Sequence, residues 1–121
     1  MLSWGLYTAW DREDKALPQI KDFTEEITAT PGVEFGYILQ IKKARGKQIQ
    51  FTIEHPPFLD EEGHPTPAFI GDVYVRSNEW QFFLGDTVWE PVADKCGAWR
   101  LIIALDGENI ADKTFTIVAE N

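Results

Sequence analysis

The feature that most constrains this chain is a run of strict alternation. From Val33 to Lys42 the apolar residues Val33, Phe35, Tyr37, Leu39 and Ile41 occupy every second position. A period of two puts them on one face of an extended strand, whereas a helix would scatter them around its circumference. The same period returns at Ile49, Phe51 and Ile53, and again at Trp99, Leu101, Ile103 and Leu105. Side chains patterned this way are buried when strands face one another across a shared interior, not when helices bundle.

Turn chemistry then divides the chain. Lys43-Ala44-Arg45-Gly46-Lys47 separates the first two runs, and Gly46 can take positive φ, so the pair reads as a hairpin. Asp106-Gly107 is a two-residue turn signal between the Trp99 run and a last strand from Ile110 to Val118. Val73 to Val75 and Trp80 to Leu84 read as shorter strands joined around Ser77-Asn78, and Leu2 to Thr8 as a first strand with Trp4 and Leu6 inward. Lys21 to Thr28 is rich in threonine and stops at Pro31-Gly32, which suits a single turn or a polar edge strand. The 121 residues fit one domain, 1–121, with about seven strands. The expected fold is all-β, an antiparallel β-sandwich of immunoglobulin-like type, with a small β-barrel as the alternative. Trp4, Trp80 and Trp99 lie on apolar phases and are expected in its core.

Composition narrows the partners. Twenty acidic residues against 11 basic ones give a net charge of −9, a field that repels nucleic acid and anionic bilayers. The single cysteine, Cys96, excludes an intrachain disulfide, and with two histidines it cannot build a cysteine-rich zinc site. The N-terminus has no basic region followed by an apolar stretch, and no window approaches the roughly 18 apolar residues of a membrane span. A cytoplasmic protein is the expectation. Phosphate loops, dinucleotide fingerprints, nucleophile elbows and zinc-protease helices are missing, so no catalytic residue, cofactor or metal site is assigned. Composition and motifs supply no biochemical activity.

Several segments together carry a resemblance: Gly5-Leu6-Tyr7, Pro31-Gly32-Val33-Glu34-Phe35-Gly36-Tyr37, the His55-Pro56-Pro57 stop, Gly97-Ala98-Trp99-Arg100-Leu101, and Lys113-Thr114-Phe115-Thr116-Ile117-Val118. With the length, they make the chain resemble a family of small bacterial domains of unknown function with immunoglobulin-like sandwich folds. These motifs are turn glycines, prolines and core aromatics. The resemblance implies a fold and transfers no functional residue.

The most distinctive stretch is the loop from His55 to Gly71, which holds both histidines, the acids Asp60, Glu61 and Glu62, and four prolines. Two imidazoles and one of these acids could meet around a divalent metal, but the spacing matches no known ligand pattern. Pro56, Pro57, Pro65 and Pro67 fix φ and lower the entropy lost on ordering, which favours a pre-shaped recognition surface over a metal site. Trp10 and Trp89 fall outside the alternation, beside Asp11 and Glu90-Pro91, as loop anchors or as partly exposed rings for a sugar or a protein contact. Cys96 has Lys95 beside it but no base placed by a local motif, and reads as an inert thiol.

The expected function is thus a non-catalytic module that contacts another protein, or a second copy of itself, through a sheet edge or this loop. Its surface would be formed by His55, Pro56, Pro57, Phe58, Asp60, His64, Trp10 and Trp89. The alternative is a binder of carbohydrate or another small ligand on an exposed tryptophan. A metal-dependent or thiol enzyme stands third.

Overall fold

The alternating runs become strands in a computed structural model that describes residues 1–8, 17–59 and 62–119. In chain order they are β1 (Ser3–Tyr7), β2 (Ile20–Asp22), β3 (Glu26–Thr28), β4 (Glu34–Lys42), β5 (Gln48–Glu54), β6 (Phe69–Tyr74), β7 (Glu79–Thr87), β8 (Gly97–Leu105) and β9 (Glu108–Val118). One sheet runs β2-β1-β4-β7 and the other β3-β9-β8-β5-β6. Neither closes on itself, so the architecture is the sandwich and not the barrel. All pairings are antiparallel except β3 with β9.

The inward face of β4, Phe35, Tyr37, Leu39 and Ile41, meets Ile49 and Ile53 of β5, Trp99, Leu101 and Ile103 of β8, and Phe115 and Ile117 of β9. Each such side chain contributes about 1.5–3 kcal/mol on leaving water. The one polar atom Tyr37 carries inward is satisfied, because its hydroxyl donates to the Leu101 carbonyl oxygen at 2.9 Å and so ties the two sheets together. Burial, with the nearby charge of Asp112 adding to it, pushes the Tyr37 hydroxyl well above its ordinary pKa and keeps it a donor.

Two expectations need correction. The runs on either side of residues 43–47 do not form a hairpin: β4 pairs with β1 and β7, while β5 pairs with β6 and β8. The link crosses from one sheet to the other. Alternation specifies which face of a strand is buried, and two strands in opposite layers satisfy the same inward face as well as neighbours do. The described residues also form nine strands instead of about seven, because the Lys21 to Thr28 segment supplies two three-residue strands at sheet edges. β2 lies against β1, and β3 runs parallel to β9 with Ile27 fully buried. The β8–β9 turn is as read: Asp106 and Gly107 have φ of 51° and 81°, the two positive values that a type I′ turn demands.

Of the three tryptophans assigned to the core, Trp99 is 1% exposed, whereas Trp4 and Trp80 are half-buried against it. β4 is buried on both faces. Its outward Ile38 joins Tyr7 and Phe83 in a second, smaller cluster on which Leu17 and Ile20 pack. No helix of the described residues is long and apolar enough to cross a membrane.

Candidate functional site

After β5 the chain leaves the sheet at His55 and returns to begin β6 at Phe69, so the loop is three residues shorter than its reading to Gly71. It folds back on itself: Leu59 bridges Pro65, the Thr66 amide donates to the Phe58 carbonyl at 2.9 Å, and Gly63 turns with φ of 83°. His55 sits between its two ends. One ring nitrogen, Nδ1, lies 2.8 Å from the Pro56 carbonyl oxygen, and Nε2 lies 2.7 Å from that of Pro67. The imidazole packs on Phe58, Phe69 and Trp99 with ring centres 4.4, 4.8 and 5.5 Å away. It is a loop fastener in this arrangement. His64 is exposed beside Glu62, with Nδ1 at 3.6 Å from the carboxylate. Among the described residues no three His, Cys, Asp or Glu side chains converge as metal ligands. Asp60 and Trp10 lie outside the described residues.

A second segment, residues 88–97, packs against this loop. It contains a cis Glu90-Pro91 bond and a single 3-10 turn, Ala93–Lys95. Lys95 is 2% exposed, an uncommon position for a lysine, and burial of an ammonium requires partners. It has four. Nζ pairs with the Asp94 carboxylate, donates to the Pro91 carbonyl at 3.1 Å, and stands 4.5 Å from the ring centre of Phe58 and 4.7 Å from that of Trp89. The two rings present their negative faces to the cation, a contact that strengthens as water is excluded. Trp89 meets Phe58 and Trp99 edge to face, at 5.7 and 6.0 Å. The Trp99 indole N–H donates to the Lys95 carbonyl at 2.7 Å. One end of the sandwich is therefore a layer of aromatic rings closed around a cation and continuous with the core below it.

This arrangement sorts the surface residues read from sequence. Phe58 is 7% exposed and is corrected from contact surface to anchor: the cation and the rings around it draw it inward. His55 and Pro56 are half-buried beneath the loop. Pro57 and His64 are exposed, and Trp89 is 36% exposed at the rim. Sequence reading missed Leu59, which is 62% exposed next to Phe58 in the chain, and the burial of Lys95. Leu59 carried a signal, an apolar side chain between prolines and acids, and Lys95 carried none, since a lysine beside Asp94 reads as surface. Cys96 is half-buried with Sγ 3.6 Å from the Val92 carbonyl oxygen. The outer loop bears little of the stability: Glu62→Ala is expected to shift it by no more than about 0.5 kcal/mol, as a thermal melt would show.

A search of curated proteins finds no match. Among solved structures, an immunoglobulin-like protein from Pseudomonas aeruginosa superposes with a TM-score of 0.80 at 19% identity, over 96% of this chain and 90% of that one. At that identity the likeness shows the fold alone, and the fold it shows is the immunoglobulin-like sandwich. The model of the family DUF3859, described as a domain of unknown function, matches residues 1–117, and the chain belongs to that family.

Proposed function

We propose that the protein is a non-catalytic binding module that contacts a partner protein through the end of the sandwich formed by residues 55–68 and 88–97. One observation carries this reading: apolar side chains project from a base that is already rigid. Leu59 and Trp89 are exposed, while Phe58, which precedes Leu59 in the chain, and Lys95 and Trp99, which Trp89 touches, are buried and mutually bonded. A surface ordered before binding loses little conformational entropy on contact, and exposed aromatic or aliphatic anchors over a packed base are the residues that dominate interface energies. The prolines at 56, 57, 65 and 67 act in the same direction.

Stacking of a carbohydrate on Trp89 has less support, because one region of the indole face is occupied by the Lys95 ammonium. The test compares affinity capture by the native chain with capture by Leu59→Asp, a substitution on an exposed side chain that leaves the buried base intact. A partner held by the native chain and lost by a cooperatively melting Leu59→Asp variant supports the loop end as the contact face. Identical capture by both would refute it, and quenching of Trp89 fluorescence by sugars would favour the carbohydrate reading.

A further inference from the structure

We propose that the free edge of β6 accepts an extended segment of a partner protein as an added strand, and that this segment carries a basic residue flanked by apolar ones. The proposal rests on the binding-module reading and extends it to a second surface, adjoining the first because the loop runs directly into β6.

β6 is the last strand of its sheet, so the backbone groups on its outer edge point away from β5. Proteins commonly guard such edges with lysine, proline, a bulge or extreme shortness. The edge strands β2 and β3 are blunted in the last way, at three residues each. β6 has six residues, Phe-Ile-Gly-Asp-Val-Tyr, with no lysine, proline or bulge, a single charged side chain, Asp72, and unbroken register along β5. Its outer face shows Ile70 at 77% and Tyr74 at 64% exposure, with the exposed Asp72 between them. Among the described residues no cation pairs with Asp72. On the other face, Gly71 leaves room for the Phe51 ring, and an apolar groove lined by Phe51, Val73, Phe82 and Leu84 separates β6 from the edge of β7.

Charge selects the occupant. β6 and β7 together carry Asp72, Glu79 and Asp86 and no basic residue. A second copy of the chain fits poorly: antiparallel self-pairing that keeps Ile70 and Tyr74 on a shared face, 70 against 74, sets Asp72 against Asp72 of the other copy, and each copy brings a charge of −9. A segment with a lysine or arginine opposite Asp72 instead forms a cross-strand ion pair. Its apolar residues two positions to either side lie on Ile70 and Tyr74, and those next to the basic residue turn toward the groove. Main-chain bonds then give affinity and alternate side chains give selectivity.

The probe is a blocked peptide, Ser-Val-Ile-Lys-Val-Tyr-Ser, titrated into the labelled full chain and followed by amide resonances, beside the same peptide with Glu in place of Lys. The expected result is a saturable shift of the β6 amides, about fivefold weaker for the Glu peptide. In Asp72→Lys, whose side chain is exposed, the preference reverses. Equal binding of the two peptides, or no response at β6, overturns the proposal, as does protection of the β6 amides by raising protein concentration alone. Leu59→Asp should leave the titration unchanged. A failed titration alongside capture that still depends on Leu59 refutes the edge and spares the loop end, whereas a successful titration with capture indifferent to Leu59 does the reverse.

Discussion

Gly36→Ala is expected to destabilise the protein by about 2–6 kcal/mol, a large share of the stability of an ordinary domain. Gly36 stands in the middle of β4 with φ of 150°, in register with Gly5 on β1 and Gly85 on β7, so three glycines lie side by side across the sheet. A methyl group at Gly36 would sit 2.2 Å from the Leu84 carbonyl oxygen and 2.6 Å from the Gly85 Cα. At Gly85 it would meet the Phe35 carbonyl oxygen at 2.1 Å, and at Gly5 that of Asp22 at 2.1 Å. These obstacles are backbone, which cannot rotate aside as a side chain does. Steric clash is therefore added to the strain of an unfavourable φ, and relief requires two paired strands to move. Gly46→Ala is the control: its φ is 87°, but nothing lies within 4 Å of the added carbon, so strain alone acts and the loss stays near 1 kcal/mol. Denaturant melts of the two variants check the contrast, and equal losses would refute the account.

The glycine row shows where sequence reading stops. In the run from Val33 to Lys42 the inward phase is fully legible, because Phe35, Tyr37, Leu39 and Ile41 obey a local period. The outward phase is not, since Gly36 and Ile38 are buried by segments that come from elsewhere in the chain. Local pattern likewise identified β5 but could not say that it lies in the opposite sheet from β4, a decision made by long-range pairing with β8. The Asp106-Gly107 turn was legible because two positive φ values leave few residues to choose from. β2 and β3 were harder to read because three-residue edge strands are too short to display a period.

The candidate site was legible in outline for the same reason. Prolines, histidines and acids marked residues 55–68 as unusual, and Trp89 stood outside every alternating run. What could not be read was the joining of this loop to residues 88–97, since the cluster is made by side chains distant in sequence. Lys95 shows it best. Its burial follows from Phe58 and Trp89 arriving on it from two directions, and neither is a sequence neighbour.

Trp99→Ala should cost about 3–5 kcal/mol, and its effect should spread further than its own contacts. The ring is 1% exposed and touches Phe35 in the core on one side and His55, Phe58 and Trp89 of the end cluster on the other. Its N–H satisfies the carbonyl of Lys95, so truncation leaves a buried acceptor unpaired beneath the cation as well as a cavity. Ile103 is the comparison, fully buried on the same face of β8 four residues further along, and Ile103→Ala should cost about 2–5 kcal/mol by cavity formation. The two variants differ in what loosens. Trp99→Ala removes the shared wall of the end cluster, so amide exchange at residues 55–68 and 88–97 should accelerate beyond the change in global stability, whereas Ile103→Ala should raise exchange there only in proportion to that change. The same exchange pattern in both variants would mean that the end cluster is held by Lys95 and His55 alone, with Trp99 acting as ordinary core.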